Sequence, residues 1–419
     1  MKQYFDELES RLEDERNRDQ RRCLSIMMGL AYDVVPSIKE FLDSLGVKFI
    51  DEISWEQWWE IPVTSREKLI EAEAAAPPFG GLVDQNAQID RIFVSPGPVY
   101  EPHLSEMDPL WARAYFAAGL GAADVVLNTF SYHMVAAGLT FHAGLRKVGA
   151  TVVPSGTAST EMQVQLIRDL GVTAFTGTPS FLMSIIEKSK ELGFDFVKDF
   201  KLRKACFAAE PLQPILRERF DKEYGIDTYQ MYGATEVGDI AYECSEKKGW
   251  HICEEVLVEI VDPQTGRVLP HGEFGEVVVT RFNRIFFLFR FGTGDLSRII
   301  AERCHCGRTS LRLDGIVGRV GEAVKVRGMF LAPSQIRKVS ERFSNLRIQA
   351  ILQRTRHEDY LTIRIERQQP DLEEKRLWEE NFKRVFKEIC TVRIDKIEWL
   401  DLGTIKANDK LIIDERSWK

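Results

Sequence analysis

From about residue 105 to 230 the chain repeats one alternation, and that repetition leaves few folds open to it. "DVVLNTF" precedes the helical "HMVAAGLTFHAGLRKVG", and "TVVPSG" precedes "EMQVQLIRDLG". "VTAFTGTP" leads into "SFLMSIIEKSKELG", and "KACFAAEP" into "LQPILRERFDKEYG". Apolar strand-like runs joined by helical segments predict parallel strands with helices covering the sheet. Several of those strands end in Gly, Ser, Thr or Pro, where sheets of this kind hold ligands.

The remainder reads differently. At 419 residues the chain is too long for one core, so two or three domains are expected. "VLVEIVDPQTGRVLP" and "GEFGEVVVTRF" are short strands around turns, the centre of a mostly antiparallel β subdomain over about 240–315. After Gly318 comes "AVKVRG", a strand, then "PSQIRKVSERF", a helix opened by proline. "RIQAILQR" and "YLTIRIER" alternate as strands, "DLEEKRLWEENFKRVFKEI" is an amphipathic helix, and "RIDKIEWL" is a strand. That β-α-β-β-α-β order fits a small ferredoxin-like unit. The expected fold is therefore α/β. A large N-terminal domain over 1–317 would have parallel sheets flanked by helices plus the β subdomain, and a small mobile α+β C-terminal domain would occupy 318–419. The junction "IVGRVGEA" supplies glycines that absorb backbone rotation.

A formal net charge of −8 argues against a protein that coats nucleic acid. No apolar run approaches the roughly 18 residues of a membrane helix. The N-terminal "MKQYFDELESRLEDERNRDQRR" is too charged for a signal peptide and reads as a solvated helix, so a cytoplasmic location is expected. Oligomeric state is left open, and a homodimer is compatible with the sequence. The seven cysteines then read as thiols or metal ligands rather than disulfides.

Four of the metal-binding side chains form a set. Cys244 and His251 lie close together, and far downstream Cys304 and Cys306 flank His305 in "RCHCGRT". Three thiolates and one imidazole suit a closed, structural Zn²⁺ site, with Cys253 and His305 as rival ligands.

Just ahead of Cys244 stands "YQMYGATEVG". Gly233 lets the backbone approach a phosphate, the Thr235 hydroxyl can donate to its oxygens, and Tyr232 can stack on a purine. Glu236 is a hard oxygen ligand suited to Mg²⁺ bridging phosphates. In "FGTGDLSRI", Asp295 can accept two hydrogen bonds from a ribose diol.

These elements, in this order, resemble the adenylate-forming (acyl-CoA synthetase/ligase) superfamily, and within it the phenylacetate–coenzyme A ligase branch. "LNTFSYHMVAAGLTFHAGLRKVGATVVPSG", "QVQLIRDLGVTAFTGTPSFL", "FAAEPL", "YGATEVG", the Cys…His…Cys-x-Cys set and "GRTSLRLDGIVGRV" carry the likeness, which covers most of residues 90 to 415. The resemblance implies an AMP-forming acid–CoA ligase acting on an aromatic or similarly compact carboxylate, with ATP, Mg²⁺ and coenzyme A. Its small C-terminal domain would rotate between adenylation and thioester formation. Carried over residue by residue, Thr235 contacts the α-phosphate and Glu236 holds Mg²⁺. Tyr232 and the Ala209–Glu210–Pro211 turn frame adenine, Asp295 binds ribose, and Arg319 reaches ribose or phosphate. Tyr132, His133 and Phe141 fall where the family builds its acyl pocket. Lys410, with Lys406 as its rival, is the C-terminal catalytic lysine.

Three departures qualify the likeness. The family's flexible Ser/Thr/Gly-rich loop for the β- and γ-phosphates is here "VSPGPVYEP", where Ser95 and Gly97 remain, Pro96 and Pro98 stiffen the chain, and no lysine follows. The junction has Gly321–Glu322 in place of an acidic pair, and "GTIKANDK" lacks the neighbouring glycine and arginines. Two other readings fit these departures: an adenylating enzyme with a different acceptor, and a nucleotide-binding protein that has lost catalysis.

Overall fold

The computed structural model describes residues 3–416, apart from 47–52, 274, 317, 321–323, 328, 332, 345, 356–357, 368–371, 391 and 407–408. The chain divides into two compact units, Met1–Val320 and Gly321–Lys419. The junction pair Gly321–Glu322 lies outside the described residues.

In the first unit, β1 (Thr64–Ser65) precedes a hairpin of β2 (Arg91–Ser95) and β3 (Val99–His103). Then follow β4 (Val125–Asn128), β5 (Thr151–Val153), β6 (Ala174–Gly177), β7 (Lys204–Phe207) and β8 (Asp227–Ala234). Helices Ala137–Lys147, Thr160–Asp169, Pro179–Glu191 and Pro214–Tyr224 separate them in turn. These helices start where the sequence signals. Ser159 accepts from the Met162 amide, and Thr178 accepts from that of Phe181 with Pro179 in the first turn. The last of the four stops at Gly225, whose φ of 64° suits a residue without Cβ.

Next come β9 (Gly238–Glu243), β10 (Trp250–Ile252), β11 (Val256–Val261), β12 (Gly275–Arg281), β13 (Phe291–Ser297), β14 (Ile299–Ile300), β15 (Arg312–Leu313) and β16 (Gly318–Arg319). One sheet runs β14-β15-β10-β9-β8-β7-β6-β4-β5. Pairing is parallel from β5 to β8 and antiparallel from β8 to β14. The parallel part matches the alternation in the sequence, with β6 buried along its whole length. The expected β subdomain is shared between two sheets. Its β9, β10, β14 and β15 extend the large sheet, whereas β11, β12 and β13 form another with β1 and β16.

The charged N-terminal segment is not the solvated helix that its composition suggests. Helix Glu13–Val34 buries Leu24, Met27, Met28 and Ala31 in a cluster with Trp58 and Phe287. Glu9 is only 1% exposed and Arg16 7%. Charges can be buried so when each finds a partner. Arg16 reaches Glu254 at 3.0 Å, and Glu9 accepts from the Tyr242 hydroxyl at 2.7 Å and pairs with Arg308.

In the second unit, among the described residues, β17 (Val324–Val326) pairs with β18 (Met329–Leu331), while β19 (Arg347–Thr355), β20 (Glu358–Glu366), β21 (Lys396–Leu400) and β22 (Ile412–Asp414) form a sheet of order β21-β20-β19-β22. The α+β character is as expected. The strand read as the first of that sheet instead closes a hairpin, and the C-terminal β22 takes the place beside β19. Helix Leu372–Cys390 covers the sheet by burying Phe382 and Phe386 against Ile363 and Ile365. Among the described residues no helix is long and apolar enough to cross a membrane.

Candidate active site and metal centre

β8 pairs with β7 in parallel and with β9 antiparallel, so the strand direction reverses at its carboxyl end. Sheets of this kind hold ligands beyond the carboxyl ends of their parallel strands, and the turn there carries Thr235 and Glu236. Gly233 is required for packing, since a Cβ would lie 2.4 Å from the Gly238 carbonyl oxygen and 2.5 Å from the Trp111 ring. Thr235 is exposed, and its hydroxyl lies 3.2 Å from a Glu236 oxygen. Glu236 is buried and ion-paired with Arg66, whose other terminal nitrogen donates to the Pro96 carbonyl at 2.9 Å.

Asp295 is oriented from two sides. The Tyr232 hydroxyl donates to one of its oxygens at 2.9 Å, and Arg319 approaches the other at 3.2 Å because β16 pairs Arg319 with Asp295 on β13. Burial, then the Asp295 charge, pushes the Tyr232 phenol well above its usual range, so it stays a donor. The Tyr232 ring tilts against Trp250 with centroids 5.6 Å apart. The Ala209–Glu210–Pro211 turn follows β7, neighbour of β8. Ala209 has φ of 66°, a left-handed conformation that costs a non-glycine residue about 1 kcal/mol. Glu210 fixes the turn by accepting from the Ser180 hydroxyl.

Two carboxylates on this side were not singled out from the sequence. Glu101 accepts from the Ser95 hydroxyl across the hairpin, and the Tyr100 amide donates to Glu73 at 3.0 Å. Burial, then the neighbouring Glu236 charge, raises Glu101 to about 8. Glu73 rises to about 7, mainly through burial. One oxygen of each is buried without a hydrogen-bond partner. Nothing in the sequence marks them, because their burial depends on the hairpin packing against residues far along the chain.

Of the three candidate acyl-pocket residues, Phe141 is buried between Trp111 and Phe130, with ring centroids 4.7 and 4.4 Å away. The Tyr132 hydroxyl accepts from Asn128 at 2.8 Å and lies 3.1 Å from His142 Nδ1. Burial raises Tyr132 to about 12 and lowers His142, leaving a neutral imidazole beside a phenol. His133 is exposed, and the imidazole that meets Tyr132 is that of His142, one residue past Phe141.

The ligand atoms of Cys244, His251, Cys304 and Cys306 all lie within 4.8 Å of one another. Cys244 Sγ is 3.7 Å from Cys304 Sγ, close to the ~3.8 Å edge of a tetrahedron with 2.3 Å metal–sulfur bonds. Cys306 Sγ is 3.3 Å from His251 Nε2, while His251 Nδ1 meets the Ser310 hydroxyl at 3.3 Å, which orients the ring. The hydrogen bond from Cys244, then that from His251, draws the Cys306 thiol far down. The same bond pushes Cys244 up, and burial adds to it. β9 and β10 bring Cys244 and His251 together, and the turn between β14 and β15 brings the other pair. Gly307 closes that turn at φ 85°, where a Cβ would strike the Tyr4 hydroxyl at 2.3 Å. The Thr309 amide donates to the Glu9 carbonyl at 2.9 Å, so the N-terminal segment straps this turn. Cys253 is buried outside the group and His305 is exposed, so neither rival belongs to it. Three sulfurs and a nitrogen at this spacing fit zinc.

The family model for AMP-binding enzymes matches residues 104–283. A phenylacetate–coenzyme A ligase of Thermus thermophilus is 30% identical over 349 residues, 80% of this chain and 77% of that protein. One of Escherichia coli K12 is 30% identical over 384 residues, covering 88% and 86%. The chain belongs to the adenylate-forming superfamily, in its phenylacetate–coenzyme A ligase branch. Its class is that of the AMP-forming acid–CoA ligases. A solved 2-hydroxyisobutyryl-CoA ligase, in complex with 2-HIB-AMP and CoA, has the same fold, with a TM-score of 0.91 at 22% identity over 99% of this chain and 93% of that one.

Thr235, Glu236, Tyr232, Asp295 and Arg319 meet at the carboxyl end of β8 and on the adjoining β13 and β16, whereas the cysteine–histidine group gathers from β9, β10 and the β14–β15 turn. Lys406 and Lys410 are both exposed in the second unit. The Lys406 amide donates to Asp409 at 2.8 Å, and the Lys410 carbonyl accepts from Gln349 at 2.9 Å, which leaves each ammonium outside these backbone bonds.

Proposed function

We propose that the protein activates an aromatic, phenylacetate-like carboxylic acid as its acyl-adenylate and transfers the acyl group to coenzyme A. The observation that carries this reading is the meeting of Glu236, Thr235, Asp295, Tyr232 and Arg319 where the carboxyl end of β8 faces β13 and β16 of the second sheet, the last three joined by bonds of about 3 Å. The named function of the 30%-identical relatives favours an aryl acid, and the stack of Trp111, Phe141 and Phe130 includes a residue expected at the acyl pocket.

In the first step a carboxylate oxygen attacks the α-phosphorus of ATP and the bond to the β-phosphate oxygen breaks, releasing pyrophosphate. Two anions approach, so the step needs preorganised positive charge and donors. Asp295 holds the ribose diol, the Ala209–Pro211 turn and Tyr232 frame adenine, and Thr235 donates to the α-phosphate. Glu236 would hold Mg²⁺, which when bound neutralises phosphate charge. Lys410 brings its ammonium to the attacking carboxylate. In the second step the sulfur of coenzyme A attacks the acyl carbon, its proton departs to solvent, and AMP leaves. Cys244, His251, Cys304 and Cys306 would hold a structural Zn²⁺ that braces the segment following the Thr235–Glu236 turn.

The test is pyrophosphate release from ATP with Mg²⁺ over a panel of aryl and short alkyl acids, with and without coenzyme A. Aryl-dependent release that yields a CoA thioester is expected, and it should vanish in Lys410→Ala but persist in Lys406→Ala. Release without thioester moves the reaction to another acceptor. Nucleotide binding without release across the panel rejects the enzyme reading.

A further inference from the structure

The nucleotide site must gather a polyphosphate beside a carboxylate, yet its two loops carry no cation. From Ile92 to Ala112, through the β2–β3 hairpin, there is neither lysine nor arginine, and there is none from Ile226 to Glu246, through the Thr235–Glu236 turn. Arg66 reaches the site from elsewhere. It follows β1 directly, and β1 pairs in parallel with β13, setting Ser65 beside Gly292 on the strand that leads to Asp295. The guanidinium therefore spans both loops, one terminal nitrogen on Glu236 and the other 2.9 Å from the Pro96 carbonyl in the hairpin turn. Its side chain keeps 21% exposure, against 1% for that of Glu236, so a ligand at the site can reach it.

We infer that Arg66 binds the β- and γ-phosphates of ATP, replacing the cation that the "SPGP" hairpin lacks, and that Glu236 holds it in place until nucleotide arrives. The inference rests on the ATP-binding part of the proposed function. A planar guanidinium fork matches phosphate oxygens two at a time, which a backbone stiffened by two prolines cannot do. Without nucleotide, pairing with Arg66 keeps the buried Glu236 charge compensated. When Glu236 turns to a divalent cation it has less to give its arginine, and the freed donors then face the phosphates. The Pro96 carbonyl keeps the other nitrogen in register with the hairpin, so the arginine is positioned before ATP binds.

AMP provides the contrast, since it has neither the β- nor the γ-phosphate. ATP and AMP affinities are measured by titration calorimetry on the full-length chain with Mg²⁺, without acid or coenzyme A, for wild type, Arg66→Lys and Arg66→Ala. Melting temperatures are recorded alongside. Arg66→Ala is expected to weaken ATP by roughly ten- to a hundredfold, the scale of charge-assisted hydrogen bonds, and to leave AMP unchanged. Arg66→Lys should fall between. Unchanged ATP affinity in Arg66→Ala overturns the inference. So does an equal loss for ATP and AMP, the mark of an arginine that only props the hairpin. If Arg66→Ala does not fold, the ATP-to-AMP ratio in Arg66→Lys decides by the same two outcomes. A wild type that binds neither nucleotide overturns both this inference and the proposed function. Selective ATP binding through Arg66 with no thioester in the acid panel overturns the ligase reading alone.

Discussion

The Thr235–Glu236 turn of the proposed nucleotide site and the cysteine–histidine cluster lie at opposite ends of β9, yet the two sites hold their groups in opposite ways. In the cluster, four ligand atoms face one another within 4.8 Å, and the outer nitrogen of His251 is taken by Ser310. In the nucleotide site the groups are stored as pairs: Glu236 with Arg66, and Asp295 with Arg319 and Tyr232. The first arrangement is one that would suit a compact ion. The second, on the proposed function, is a set of partners that a nucleotide would have to exchange. Stability should therefore depend on the cluster, and affinity on the pairs.

Removing the metal is the harshest way to break that division. Chelation of the purified protein, or Cys304→Ser, is expected to cost several of the ~10–16 kcal/mol that zinc supplies in finger peptides, read as a large fall in melting temperature. Glu236→Gln should barely move it. If chelation changes neither melting temperature nor nucleotide affinity, the cluster is not a metal centre that braces the site. The next largest effect comes from the strap over the cluster. Glu9→Ala strands the buried Arg308, which should cost about 3 kcal/mol in a urea titration. ATP and AMP affinities should stay as they were. An altered affinity instead would show that the strap reaches the nucleotide groups and that the two regions are not separate.

The sequence made the cluster legible and the strap illegible, for one physical reason. Cysteine and histidine announce a ligand set by residue type, and the topology of β9, β10 and the β14–β15 turn had only to bring them together. Glu9 and Arg16 announce nothing, because a charged run reads as solvated unless its partners are known, and Glu254, Arg308 and Thr309 lie more than two hundred positions away. The parallel sheet was legible from its alternation, and the motifs singled out Thr235, Glu236 and Asp295 as candidates. The pairing of Glu236 with Arg66, 170 positions away, was not legible. Nor were Glu73 and Glu101, whose meaning depends on burial. The hairpin of β17 and β18 was also missed, since a three-residue strand has the same local pattern whichever neighbour it pairs with.

Glu101 offers a sharper comparison, because it sits with the pairs but is buried like the cluster. Burial first, and then the Glu236 charge, raises it from 4.5 to about 8. Between about pH 5 and 8 the folded protein keeps a proton that the unfolded chain has released, so stability contributed by the protonated carboxyl is full below about pH 4.5 and is lost as pH rises through about 8. Glu101→Gln keeps the shape and removes the titration. The variant should stay close to wild type at pH 5 and clearly exceed it at pH 8.5, measured as urea midpoints across the range. Parallel pH profiles would mean that Glu101 is ionised in the fold and belongs with the exchangeable charges.

The smallest effect is also the most direct reading of the pairs. In Asp295→Asn the side chain keeps one acceptor, which Tyr232 can still use, but presents an amide where the ribose diol and Arg319 both need an anion. ATP and AMP share the ribose, so both should weaken by about tenfold, near 1.4 kcal/mol. That equality separates Asp295 from Arg66, whose loss should act on ATP alone. The melting temperature should move little, because the Asp295 side chain is 21% exposed and water can replace part of what Arg319 loses. A large fall in melting temperature with nucleotide affinity intact would place Asp295 among the structural groups. The stored pairs would then be part of the scaffold rather than partners waiting for exchange.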